Sequence, residues 1–186
     1  MMTMKSLKRF GAAGVAALLA CSSIAAQAAT DGTFGATSQG TVGISASVPS
    51  RVQISKLTDV AFTLQDPASA ASNAQNVCVF SNTATKGYNI KATGSGASSA
   101  FTLGATGGLT VPYTVEWAQT TGQTSGTALT TNVALTGQTS AATVPGCTSG
   151  AVTTASLIVK MSTTALQSMV SSTSYTGTLT LLVGPE

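Results

Sequence analysis

The sequence predicts an all-β protein, and three observations carry this prediction. Short apolar runs recur from residue 52 onward, and clusters of Gly, Ser, Asn and Thr separate them. Several of these runs alternate apolar with polar residues, which is the period of a half-buried strand. Residues that favour long helices are few. Many short strands at this spacing are typical of a β-sandwich of immunoglobulin-like type.

The candidate strands differ in how clearly they alternate. They span residues 52–57, 60–64, 76–81, 88–92, 100–103, 110–118, 128–135, 155–161 and 175–183. Two of them place a row of large apolar residues on one face. In the segment 110–118 this row is Val111, Tyr113, Val115 and Trp117, and in the last segment it is Tyr175, Leu179, Leu181 and Val183. Residues 164–171 show only a weak helical pattern, and the Gly- and Ser-rich stretches 94–99, 104–108 and 122–127 are expected to be loops.

A further alternating segment precedes the first of these strands. Its four apolar residues share one side of an extended chain, while small or polar residues occupy the other side. They are Val42, Ile44, Ala46 and Val48. Such a strand near a mature N-terminus either packs into its own domain or completes the sheet of another chain.

The first 28 residues have the features of a secretory signal peptide. A basic start (Lys5, Lys8 and Arg9) precedes an apolar run over residues 10–26, and Ala26-Gln27-Ala28 offers a cleavage site between small residues. The sequence therefore divides into a signal peptide (1–28), an N-terminal extension (29–49) and a single domain (50–186). An alternative is lipidation at Cys21, because Leu18-Leu19-Ala20-Cys21 loosely resembles a lipobox.

Charge changes when the signal peptide is removed. The full chain carries 8 basic and 5 acidic residues, and the three basic residues of the signal peptide leave with it. The mature chain is then neutral, which argues against binding to nucleic acid or to an anionic membrane. A neutral surface with few charges favours association, as a polymer subunit would require.

Two cysteines remain in the mature chain, Cys78 and Cys147. In an oxidising compartment they most simply form one disulfide. The bond would close a loop of about 70 residues and stabilise the fold by roughly 4 kcal/mol. Two unpaired buried thiols are the alternative.

The residues of common catalytic and metal sites are missing or scattered. The chain contains no histidine, which excludes Ser–His triads, Cys–His dyads and His-ligated metals. Gly94-Ser95-Gly96 lacks the third glycine of a dinucleotide fingerprint. Tyr113 and Trp117 could stack on a sugar or a base, but their alternation with valines favours core packing. The sequence predicts no enzymatic activity and no cofactor.

Four stretches in this order resemble major subunits of chaperone–usher fimbriae, particularly the alpha-type colonisation-factor pilins. They are TVGISASVPSRVQIS at 41–55, SNTATKGYNIKATGSG at 81–96, LTVPYTVEWA at 109–118 and SYTGTLTLLVGPE at 174–186. The chain is also similar to spore-coat-U-type domains of archaic chaperone–usher pili. The cysteines depart from both patterns: the alpha-type pilins generally lack a disulfide. Spore-coat-U domains usually place a cysteine in the first strand, where this sequence reads Arg51-Val52-Gln53-Ile54.

The resemblance implies an immunoglobulin-like domain that lacks its final strand and exposes an apolar groove. A periplasmic chaperone covers the groove, and at an outer-membrane usher the N-terminal extension of the next subunit replaces the chaperone. The residues that match the family's donor strand are Val42, Ile44, Ala46 and Val48, and Phe34 and Ala36 share their parity. The C-terminal strand with Tyr175, Leu179, Leu181 and Val183 would border the groove.

The function implied is that of a structural subunit of a bacterial surface pilus, with a possible role in adhesion. Each subunit would join the next head to tail, which gives an open filament. The sequence indicates no receptor. Two alternatives stay open: a monomeric exported β-sandwich binding module that pairs its 41–48 strand within its own sheet, and an outer-membrane lipoprotein anchored at Cys21.

Overall fold

The computed structural model describes residues 28–186. Nearly all of the predicted signal peptide, including Cys21, lies outside the described residues. The described residues form ten strands, one short α-helix and three 3₁₀ segments of three residues each. In chain order the strands and the α-helix are β1 (Val52–Ser55), β2 (Ala71–Ser81), β3 (Gly87–Gly94), β4 (Thr102–Gly104), β5 (Thr110–Pro112), β6 (Thr114–Ala118), β7 (Thr127–Ala128), β8 (Ala134–Thr139), β9 (Ala155–Met161), α1 (Thr163–Gln167) and β10 (Leu179–Pro185).

Two compact units divide the chain, and Val48–Glu186 is the larger of them. In the described part of the smaller unit, Thr30 and Thr41 form an isolated antiparallel bridge through backbone hydrogen bonds of 3.0 and 2.9 Å. Residues 42–51 form no strand in this structure, although the sequence predicts one at 41–49. The apolar side chains of Val42, Ile44 and Val48 are 77%, 93% and 82% exposed.

The larger unit consists of two antiparallel sheets and a small hairpin. The first sheet has the order β1-β2-β9-β6-β7, the second has the order β10-β3-β8, and β4 pairs with β5 in the hairpin. The first four strands of the first sheet follow the A-B-E-D order of an immunoglobulin domain, and β10 beside β3 corresponds to strands F and C. This strand order confirms the prediction of an all-β, immunoglobulin-like sandwich.

The core lies between the two sheets. Trp117 of the first sheet and Tyr88 of the second are both fully buried there, among valines, leucines and Ile90. The sequence-predicted row of Val111, Tyr113, Val115 and Trp117 is buried throughout, with exposures of 1–7%. The expectation that Tyr113 and Trp117 serve the core is therefore confirmed.

One predicted strand is wrong. Residues 60–64 form no strand, although Val60 and Phe62 pack against the core. A strand requires a neighbour for its backbone, and no described strand pairs with this stretch. Lys56 before it and Leu64 at its end have φ values of 64° and 52°, which turn the chain out of the extended conformation.

Of the other predicted strands only 155–161 has the observed bounds; the others differ by a few residues at their ends, and three of them are divided or begin later for a local reason. The segment 110–118 divides at Tyr113, since β5 pairs with β4 while β6 pairs with β9. The segment 128–135 divides at a turn in which Asn132 has a φ of 63°. The last strand begins at Leu179 because Thr176 instead forms a bridge with Gly104. The predicted helical turn is α1. Ser162 caps its N-terminus, because the Ser162 side chain accepts a hydrogen bond from the N–H of Ala165.

The predicted disulfide is present. Cys78 of β2 bonds to Cys147, 69 residues later, in the loop before β9, with 6.0 Å between their Cα atoms. The bond is buried beside Ala142 and Phe80, outside the main core. Within residues 28–186 no helix has the length and hydropathy that a membrane span requires.

Candidate functional site

A groove opens between β10 and the segment that follows β1. Its cavity has a volume of about 490 Å³. One wall is residues 57–62 and the other is the start of β10, while Leu157 and Val159 of β9 lie at its base. Most side chains in contact with the cavity are apolar: Leu57, Val60, Phe62, Leu103, Tyr113, Leu157, Val159, Leu179 and Leu181. We call this feature the groove.

The edge of β10 that faces away from β3 is open. β10 pairs with β3 alone among residues 28–186. Glu186 donates its N–H to the carbonyl of Gly87 at 3.1 Å, in the same register as the ladder. Because hydrogen-bonded pairs alternate along an antiparallel ladder, the backbone N–H and C=O groups of Leu179, Leu181 and Val183 point to the open side.

β10 therefore offers both apolar side chains and unpaired backbone groups. The side chains of Leu179, Leu181 and Val183 pack against the core. Their backbone groups stay free to pair with a further strand, in the position that strand G occupies next to strand F in an immunoglobulin sheet. The site can therefore bind an extended peptide through main-chain hydrogen bonds and apolar side-chain contacts.

The opposite wall, residues 57–62, is held by side chains rather than by a strand ladder. The Gln75 amide accepts the N–H of Thr58 at 2.8 Å and its hydroxyl at 3.1 Å, and donates to the Thr58 carbonyl at 3.0 Å. The Lys56 ammonium donates to the carbonyls of Val152 at 2.6 Å and Cys147 at 3.3 Å. These contacts fix the wall to β2 and to the disulfide loop.

The far end of the groove is closed by the β4–β5 hairpin. Thr176 and Gly104 exchange two backbone hydrogen bonds of 2.8 and 2.9 Å. Between them and β10 lies Gly177, where a Cβ atom would come within 3.1 Å of the Leu103 side chain and of the Thr102 carbonyl oxygen. A side chain at this position would require these neighbours to move by a few tenths of an ångström.

The groove carries little charge. Asp59 is the one ionisable carboxylate among its lining residues, and burial raises the pKa of the Tyr113 phenol, which therefore stays neutral. Among residues 28–186 no three His, Cys, Asp or Glu side chains form a group that could hold a metal ion. The chemistry available in the groove is that of apolar and main-chain binding.

The residues that the sequence placed at a site have different positions in the structure. Leu179 and Leu181 line the groove, while Tyr175 and Val183 pack against the same core outside its lining. The Tyr175 hydroxyl accepts the N–H of Val170 at 3.1 Å. The residues of the predicted donor strand are exposed, as are Phe34 and Ala36; they are Val42, Ile44, Ala46 and Val48.

Sequence reasoning did not identify the wall formed by residues 57–62. The available signal is the alternation of Val60, Phe62 and Leu64, which predicts an ordinary strand. Two of these three residues, Val60 and Phe62, do line the groove. The base residues Leu157 and Val159 belong to a correctly predicted strand, but nothing in the sequence distinguishes them from other core residues.

Comparison with known proteins shows similarity at the level of structure. No protein-family model matches the chain, and no curated protein is significantly similar to it. The structure is similar to a chain from a chaperone–tip adhesin complex in CFA/I fimbriae biogenesis, with a TM-score of 0.48 and 16% identity. The match covers 73% of this chain and 42% of the other, so this chain spans less than half of that protein's length.

Proposed function

We propose that this protein is a structural subunit of a surface pilus and that its groove accepts a donor strand, residues 41–49, from another copy. The observation that carries the proposal is the open edge of β10 beside an apolar cavity. An unpaired edge next to exposed core residues promotes aggregation unless something covers it. A strand inserted there would satisfy the edge and bury the cavity lining together.

The chain itself contains a segment with the properties that the groove requires. Residues 41–49 alternate between apolar and small side chains, and the apolar ones are exposed. Nine residues in extended conformation reach about 30 Å, and the seven residues of β10 reach about 24 Å, so the segment is long enough to follow the whole edge. Alternation sets the register, because a shift by one residue would direct every apolar side chain away from the groove.

Donor and acceptor are different segments of one chain, so the contact is head to tail and generates an open filament. The near-neutral mature chain imposes little electrostatic repulsion on such a polymer. Before assembly the groove needs another cover. We assign this role to a periplasmic chaperone, and the exchange of chaperone for donor strand to an outer-membrane usher, as for the fimbrial subunits that the sequence resembles.

Two variants that break opposite halves of the contact test the proposal. Ile44→Asp places a charge in the donor strand, and Leu181→Asp places one at the acceptor edge. We expect neither variant to polymerise alone. A mixture should form dimers and no longer species, because the intact donor of Leu181→Asp can enter the intact groove of Ile44→Asp. Size-exclusion chromatography with light scattering measures the distribution.

A synthetic peptide of residues 38–50 gives a second measurement that does not require the Leu181→Asp variant to fold. It should raise the melting temperature of the Ile44→Asp chain, whereas the same peptide with Ile44→Asp should not. A wild-type chain that stays monomeric and is not stabilised by the peptide would contradict the proposal. That result would favour a monomeric binding module.

A further inference from the structure

The segment that follows β1 departs from the ladder of the first sheet in a specific way. β1 pairs with β2 up to Ser55 opposite Cys78. Continuing this register would place Thr58 opposite Gln75, but Lys56 turns the backbone with a φ of 64° and the ladder ends. Instead of a β2 backbone group, the Gln75 side chain reaches Thr58 and bonds to both its N–H and its C=O.

Gln75 is unusual for its place in the sheet. It has the parity of Val77 and Val79, whose side chains are fully buried in the core. A half-buried polar side chain on that face requires hydrogen-bond partners. The Thr58 backbone supplies these partners. Because the Gln75 side chain stands between the two backbones, residues 57–62 lie farther from β2 than a directly paired strand would. The groove occupies the space opened in this way, and both Thr58 and Gln75 line it.

Lys56 supplies the second attachment of the same segment. Its ammonium bonds to the carbonyls of Cys147 and Val152. Cys147 is covalently bound to β2 through the disulfide, so the carbonyls that receive Lys56 belong to a loop that is itself fixed to the sheet. Hydrogen bonds to a charged donor are stronger than neutral ones.

We infer that Gln75 and Lys56 are positioning residues that hold the 57–62 wall at the distance from β2 that admits an incoming strand. The inference rests on the proposed function, and it goes further by naming residues that would act on the donor strand without being part of the exposed edge of β10. Without these two attachments the wall would move freely, and an incoming strand would have to order it at a cost to affinity.

The test uses the full chain with Ile44→Asp, which cannot act as its own donor, and a fluorescent peptide of residues 38–50. In this background Gln75→Met keeps the side-chain volume and removes the three hydrogen bonds to Thr58. We expect the peptide to bind about tenfold more weakly, with a similar loss for Lys56→Met. Lys56→Arg should retain binding close to that of the parent chain, because a guanidinium can donate to the same carbonyls.

Stability separates a positioning role from a general structural one. Thr58 is exposed, so its backbone groups are solvated when Gln75 is lost, and the melting temperature should change little. Hydrogen exchange should become faster in residues 57–62 and stay unchanged in β3. Matched controls are Gln53→Met, on the outward face of β1, and Lys91→Met, on β3; both should bind the peptide like the parent chain.

The possible failures can be distinguished. If the Ile44→Asp chain does not bind the peptide at all, the proposed function is wrong and the inference falls with it. If it binds the peptide but Gln75→Met and Lys56→Met bind equally well, with unchanged exchange in residues 57–62, the positioning role is wrong and the proposed function stands. Equal losses in the control variants would also overturn the inference.

Discussion

The indole Nε1–H of Trp117 donates a hydrogen bond of 3.1 Å to the phenol oxygen of Tyr88 in the centre of the sandwich. The two rings meet edge to face, with their planes at 84° and their centroids 6.4 Å apart. Trp117 lies on β6 of the first sheet and Tyr88 on β3 of the second, so this contact joins the two sheets by a polar bond as well as by packing. The geometry is the one that the quadrupoles of aromatic rings favour.

The buried phenol of Tyr88 predicts a loss of stability at alkaline pH. Burial raises its pKa from 10.0 to about 12, and the hydrogen bond from Trp117 opposes this shift only in part. Between pH 10 and 12 the unfolded chain loses the Tyr88 proton while the folded chain keeps it. The unfolded state therefore binds fewer protons, and the free energy of unfolding falls with rising pH, by up to roughly 3 kcal/mol.

Thermal denaturation at pH 8 to 12, with tyrosinate absorbance as a second signal, measures this loss. Tyr88→Phe should be less stable at neutral pH by about 2 kcal/mol, because the Trp117 N–H stays buried without an acceptor. Its stability should also depend less on pH above 10, with the remaining slope due in part to Tyr113, whose pKa burial also raises.

An ion pair on the first sheet predicts the behaviour at acid pH. Lys160 Nζ lies 2.7 and 2.8 Å from the two carboxylate oxygens of Glu116, and the exposures of the two side chains are 31% and 19%. The hydrogen bond from Lys160 lowers the pKa of Glu116 below its ordinary value of 4.5, with a further contribution from the Gly126 N–H. Because the folded-state pKa is the lower one, this stabilisation is complete above pH 4.5 and is lost as the pH falls through the folded-state value.

Glu116→Gln should therefore reduce the free energy of unfolding at pH 7 by roughly 1 kcal/mol, the upper range for a partly exposed pair. The difference from the parent chain should shrink as the pH falls below 4.5 and through the lower folded-state pKa of Glu116. A cycle that adds Lys160→Met isolates the pair, since the two substitutions should be less than additive at pH 7 and should approach additivity once the pH falls below the folded-state pKa of Glu116. A difference that does not change with pH would mean that Glu116 stabilises the fold by packing alone.

The local sequence pattern was sufficient to predict strands that pair with a neighbouring strand on each edge, such as β9 and β6. Residues 155–161 lie in the middle of the first sheet, and the predicted bounds are those observed. The apolar row that includes Val115 and Trp117 identified the core face correctly. In residues 114–118 the alternation of the sequence coincides with side-chain burial, whereas residues 155–161 are buried on both faces and contain a short continuous apolar run.

The pattern was insufficient where tertiary partners decide the conformation. Residues 60–64 alternate like a strand, yet the described residues offer no neighbour on the side where the groove opens. The predicted strand at 41–49 is likewise unformed. In both cases the alternation of side chains shows which face of the segment is apolar. It does not show which other segment will form hydrogen bonds with its backbone.

The disulfide between Cys78 and Cys147 should contribute strongly to stability. It closes a loop with a sequence separation of 69 residues, and the chain-entropy model gives roughly 4 kcal/mol for a loop of this length. We expect Cys78→Ala with Cys147→Ala to lower the melting temperature by more than 10 °C, as measured by circular dichroism.

The low solvent accessibility of the disulfide allows a control for this prediction. Cys78 and Cys147 are 0% and 3% exposed, so a mild reductant should act slowly on the folded chain and quickly once denaturant is present. Adding reductant to the double-alanine variant should change nothing. If the variant melts at the parental temperature, the bond constrains a loop that the remaining contacts already hold.

Gly94 at the end of β3 and Gly104 at the end of β4 differ in what surrounds them, and this contrast gives a matched pair of substitutions. A Cβ on Gly94 would lie 2.1 Å from the carbonyl oxygen of Ala100 and 2.9 Å from the Cα of Phe101, both of them backbone atoms. A Cβ on Gly104 would meet no atom within 4 Å. Gly94→Ala must therefore displace the connection, at a cost of about 2 kcal/mol or more, whereas Gly104→Ala should change the free energy of unfolding by less than about 0.5 kcal/mol. Urea denaturation of both variants measures the difference.

Because Gly94 is paired with Leu179 at the start of β10, the displacement should also weaken binding of the 38–50 peptide. Equal stabilities of the two variants would show that the connection can shift to accept a methyl group, and would argue against a rigid end to the groove.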